Sequence, residues 1–186
     1  MLLKKTNAVL SLITILLLFI HTGYTAYCYL TFYYNPVLKI VFSLPLIVCT
    51  CLHAVLGMSA VFMNIEGTSG NFYPQFNRET LVQRISAALI LPLLILHIKT
   101  FGFLSAAAEG SHTVLMFLIF VSEALFYFIV FTHIAVSTSR ALITMGWLSS
   151  AETKKRIYKT MYIICTLFWI FASAAVIHGQ IAMFAK

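Results

Sequence analysis

Five apolar runs, each long enough to cross a bilayer and parted only by short polar turns, take up nearly all of this 186-residue chain. A helix needs about 20 mostly apolar residues to span the hydrocarbon. The runs extend over Asn7–Tyr34, Val37–Met63, Thr80–Leu104, Thr113–Met145 and Arg156–Phe184. Only 9% of residues are charged and 61% are hydrophobic, whereas a soluble domain carries roughly 25% charged residues. A water-soluble core of this size has no room for so much apolar surface. A β-barrel would show segments of about ten residues with alternating polarity, a pattern missing here. Backbone groups in lipid must then be satisfied inside helices. The expected fold is all-α: a single domain over residues 1–186, an integral membrane bundle of five transmembrane helices in the lipid bilayer.

The connections carry turn chemistry. Tyr34-Asn35-Pro36 closes the first hairpin, with Pro36 suited to a first helical turn. The longest expected loop, Asn64–Glu79, holds Gly67, Gly70, Asn71, Pro74 and Asn77. Gly110-Ser111 parts the third and fourth helices. Gly146–Lys155 parts the fourth and fifth, with Ser150 or Thr153 as N-cap. Pro45 and Pro92 lie inside spans, where neighbouring groups can satisfy a freed carbonyl.

Charge sets the expected orientation. The N-terminus, second loop and fourth loop share one side, which holds Lys4, Lys5, Arg78, Arg84, Arg140, Lys154, Lys155, Arg156 and Lys159, nine of the twelve basic residues. Lys39, Lys99 and Lys186 lie on the other. The positive-inside rule puts the N-terminus in the cytoplasm. The net charge of +7 is mostly this asymmetry, so it argues for no nucleic acid, although a basic face can dock an acidic partner. Lys4-Lys5 before an apolar run also fits a signal peptide, but the run is long for one and lacks a clean cleavage site. Cys28, Cys49, Cys51 and Cys165 all fall within spans and read as buried apolar thiols rather than a disulfide framework. Cys49, Cys51 and His53 point in different directions around a helix and cannot close on one ion.

The histidines carry the functional signal. Of His21, His53, His97, His112, His133 and His178, only His112 sits at a loop edge. The other five fall one to each helix, where ionisable residues are rare and usually functional. At 1.5 Å rise per residue, His21 and His97 lie roughly 24 and 20 Å from their cytoplasmic edges, and His53 and His133 roughly 16 and 10 Å. Two pairs at two levels suit a stack of two bis-histidine haems. A haem so ligated has no free coordination site and serves electron transfer, and neutral imidazole ligates without carrying charge into lipid. Gly57 and Ser137 each follow a histidine by one turn on the same face. Spacing alone leaves His178 a rival for the outer level. A set of interhelical hydrogen bonds is the haem-free alternative.

The stretch His53-Ala54-Val55-Leu56-Gly57, then Val82-Gln83-Arg84-Ile85-Ser86 running on to Leu96-His97, resembles the dihaem cytochrome b subunit of succinate:quinone oxidoreductases and quinol:fumarate reductases. The resemblance covers nearly the whole chain, and the Gln-Arg motif is its more specific part. Ser137 and Ala87 stand where the family often has glycine. The histidine-containing entry to the first helix is reduced to Lys4-Lys5-Thr6-Asn7, and the acidic residue found in some members near the outer quinone site is absent.

The resemblance implies that His21 and His97 hold an outer haem b and His53 and His133 an inner one, which breaks the tie against His178. It also implies a non-catalytic electron-transfer subunit of the enzyme in a bacterial cytoplasmic membrane. Its partners would be a flavoprotein subunit with FAD, an iron–sulfur subunit and a menaquinone or other quinone; dimerisation of the complex stays open. The same bundle under another dehydrogenase or reductase, and a haem-free helical anchor or small transporter, are the alternatives. Arg84 and Arg140 lie where haem propionates need cations, or act as snorkelling anchors. Glu123, the acid inside a span, either handles protons at an outer quinol site or hydrogen-bonds across helices. Tyr24, Tyr27 and His178 read as packing or interfacial groups.

Overall fold

The computed structural model describes residues 2–65, 74–110 and 112–184. They form five helices: α1 (Leu2–Thr31), α2 (Pro36–Ile65), α3 (Pro74–Glu109), α4 (Thr113–Thr144) and α5 (Ala151–Phe184). All five are long and apolar enough to cross a membrane, and the chain is a multi-pass membrane protein. No strand occurs among the described residues. Large apolar side chains such as Leu16, Ile95 and Leu167 are exposed on the outside of the bundle, as hydrocarbon solvent permits.

Helix ends depart from the apolar runs. α1 begins at Leu2 rather than Asn7 and stops at Thr31, where Phe32 takes a left-handed φ of 55°. Asn35 then caps α2: its Oδ1 accepts from the amides of Val37 (3.0 Å) and Leu38 (3.2 Å), with Pro36 in the first turn. The loop expected over Asn64–Glu79 is shortened from both sides by α2 and α3, and its Gly67, Gly70 and Asn71 lie outside the described residues. Gly146, at φ +79°, ends α4. The amide of Trp147 bonds the Leu142 carbonyl and that of Gly146 the Ile143 carbonyl, a pair that only a left-handed residue allows. Of the two caps considered for α5, Ser150 serves: its Oγ accepts from the Thr153 amide at 3.1 Å.

Packing is uneven, and this positions everything that follows. Of the apolar window of α4, 44% is buried, against 6% for α2. Extended contacts join α1 to α2, α4 and α5, and α4 to α3 and α5. The helices therefore follow in the order α2, α1, α4, α3, with α5 laid against the α1–α4 pair. The main core cluster, built on Phe126, Phe131, Ala135, Cys165, Ala172 and Val176, recruits α1 and α3 but, among the described residues, none of α2. Small buried residues of α4, among them Ala135, Ser137, Ser139 and Ala141, let its neighbours approach closely. The expectation of four buried thiols fails for three of them: only Cys165 is buried, and Cys51 is exposed on α2. α2 covers too little of itself for either of its cysteines to be enclosed.

Candidate functional site

The antiparallel run of the helices brings four histidines to two levels. Nearer the basic end lie His53 on α2, bonded to Asn7 of α1, and His133 on α4, bonded to Ser86 of α3. Further along lie His21 on α1, beside Ser43 of α2, and His97 on α3, beside Glu123 of α4. Neither pair of helices, α2 with α4 or α1 with α3, is in extended contact. Each level thus takes its two histidines from helices that are not in extended contact.

Each of the four rings is held by its Nδ1. His53 Nδ1 donates to Asn7 Oδ1 at 2.8 Å. His133 Nδ1 is 2.9 Å from Ser86 Oγ, which itself donates to the Val82 carbonyl and so has a lone pair to offer. His21 Nδ1 makes a longer contact, 3.5 Å, with Ser43 Oγ. His97 Nδ1 lies 2.9 and 3.2 Å from the two carboxyl oxygens of Glu123. Its ring also stacks on Phe126 with centroids 4.9 Å apart and meets the edge of Tyr127. When a polar partner engages Nδ1, Nε2 is the nitrogen left for a metal, and the partner fixes both tautomer and ring plane.

Glu123 is buried, 2% exposed. Besides His97 it accepts from Thr100 Oγ1 at 2.6 Å on one oxygen and from Tyr127 Oη at 2.6 Å on the other. Of the two readings its position allows, hydrogen bonding across helices is what the geometry holds, and its partner is a candidate ligand. The signal was present in the sequence as depth: Glu123 sits at the level of His97 on the neighbouring antiparallel helix. Asn7, Ser43 and Ser86 had no such signal as partners.

The Gln83-Arg84-Ile85-Ser86 stretch divides its work by helical spacing. Gln83 and Ser86, three apart, share a face of α3, and His133 and Arg140, seven apart, share a face of α4. Ser86 meets His133, and Gln83 Oε1 accepts from Arg140 at 2.8 Å. Arg140 also donates to Thr80 Oγ1 at 2.9 Å and lies 3.8 Å from Glu79, which Lys154 approaches at 3.9 Å. Arg140 thereby ties α4 to the first turns of α3. Arg84 is exposed at the same end. His178 is exposed on α5.

These residues fit a pair of bis-histidine haems. Four imidazoles, each with a polar partner at Nδ1, stand at two levels, and the buried Ser137 Oγ, one turn beyond His133, has no hydrogen-bond partner. Among the described residues, no three histidine, cysteine or acidic side chains converge as for a zinc centre. Comparison with protein-family models, curated proteins and solved structures finds no match for this chain.

Proposed function

We propose that this chain is the dihaem cytochrome b anchor of a succinate:quinone oxidoreductase or quinol:fumarate reductase. It would carry electrons between an iron–sulfur subunit and a membrane quinone such as menaquinone. The observation that supports this most is four histidines at two levels of the bundle, each with a polar partner at Nδ1. A haem with two imidazole ligands supplies one-electron transfer and offers no open coordination position.

His21 and His97 hold one group, His53 and His133 the other. Ser43, Glu123, Asn7 and Ser86 orient the four rings, and Arg84 and Arg140 place positive charge at the basic end. That end, with Lys4, Lys5, Lys154, Lys155 and Arg156, faces the cytoplasm of a bacterial cell by the positive-inside rule. It meets the iron–sulfur and flavoprotein subunits there, and the dicarboxylate chemistry belongs to them.

The test is a pyridine haemochrome assay with protein quantitation on the purified chain or complex. Two b-type haems per chain are expected. One haem would leave one level without a cofactor, and none in a folded preparation would reduce the chain to a helical anchor. Co-purification of a flavoprotein with succinate or fumarate activity separates this assignment from a cytochrome b serving another dehydrogenase.

A further inference from the structure

The four candidate ligands are not held alike. His53, His133 and His21 have neutral partners: an amide oxygen in Asn7 and hydroxyls in Ser86 and Ser43. His97 alone has a carboxyl group, with Nδ1 within 3.2 Å of both oxygens of Glu123. Thr100 and Tyr127 donate one to each oxygen, so the group is fixed from three directions in a buried site. A hydrogen bond from a ligating imidazole to a carboxylate moves electron density onto the ring and raises its basicity as a ligand. Negative charge buried close to a metal is screened far less than at a wet surface. Both effects favour the oxidised, more positive state of the iron.

Resting on the haem reading above, we propose that Glu123 is a positioning residue that lowers the reduction potential of the haem held by His21 and His97, leaving the one held by His53 and His133 little affected. Glu123 touches only His97, Thr100 and Tyr127 among the hydrogen-bonding partners described, so its influence runs through the His97 ring. Hydrogen bonding to a ligating side chain is one of the protein's controls on haem potential. The side chain is spent on this role rather than on capping a helix or closing an ion pair with a basic residue.

The experiment is a spectroelectrochemical titration of the purified complex and its Glu123→Gln variant, with haem counted in the same samples. Glutamine keeps the size of the side chain and removes the charge. The expected result is two haems per chain, with one reduction equilibrium shifted at least tenfold toward the reduced form, or ~59 mV for one electron, and the other shifted much less. Two haems with both equilibria unmoved, or with both moved equally, overturn the inference and leave the haem assignment standing. A wild-type complex without haem overturns the assignment beneath it. If the glutamine variant does not accumulate, Thr100→Val supplies the test. It keeps the carboxyl group and strips one donor, so the remaining bond to His97 strengthens and the same equilibrium moves toward the oxidised form. A shift the other way, or none, counts against the proposal.

Discussion

At Gly179 the backbone of α5 runs against Tyr29 of α1, and an alanine there puts a methyl group where that tyrosine stands. A Cβ built on Gly179 falls 2.5 Å from Tyr29 Cδ1, 2.8 Å from its Cβ and 2.9 Å from its carbonyl oxygen. The ring could swing aside, but the Cβ and the carbonyl belong to the helix itself, so α1 and α5 must separate. Overpacking of this kind costs about 1–3 kcal/mol. The intrinsic helix gain of alanine over glycine, at most about 1 kcal/mol, offsets part of it. The net loss is about 1–2 kcal/mol, a five- to thirtyfold fall in the folded-to-unfolded ratio. Reversible unfolding in mixed micelles, followed by tryptophan fluorescence, reads it. Gly102→Ala is the control, since nothing lies within 4 Å of a Cβ there. A Gly179→Ala protein as stable as that control would refute the close seating of α5 on α1.

Replacing any one of His21, His97, His53 or His133 with alanine should cost one of two haems, read by pyridine haemochrome, while His178→Ala retains both. Ser86→Ala frees the His133 ring and should weaken retention of that haem about 10–100-fold, measured by haem loss on dilution with apomyoglobin as acceptor. Arg140→Gln removes charge-assisted bonds to Gln83 and Thr80. The same micelle titration should show a loss of about 1.5–3 kcal/mol, and an unchanged midpoint would mean that α3 and α4 do not depend on this tie. Trp169→Phe deletes a 3.1 Å bond from the indole to the Ala124 carbonyl. It should cost about 0.5–1.5 kcal/mol, toward the low end because that carbonyl also lies within a helix.

Five transmembrane helices were legible without any structure, because a span is a local property: enough apolar residues in a row, with every backbone bond closed inside the segment. Helix ends were less legible. Leu2–Thr6 and Ser105–Glu109 are too polar for the hydrocarbon, yet they stay helical, since the hydrogen-bond ladder does not stop where the apolar stretch does. The levels of the histidines also followed from the chain alone, as distance along a helix at a known rise.

Which faces meet could not be read that way. Five histidines in five helices have equivalent patterns, and only the assembled bundle shows which polar side chain His53, His133, His21 and His97 each meet. Nor does the sequence show that Thr100, Tyr127 and His97 converge on the Glu123 carboxyl group, which needs α3 and α4 in register. Lipid imposes the same apolar exterior on every helix, so hydrophobicity carries little information about partners. Helix pairing rests instead on close contacts such as Gly179 with Tyr29 and on polar bonds such as Ser86 with His133, which join residues far apart in the chain and exist only in the assembled bundle.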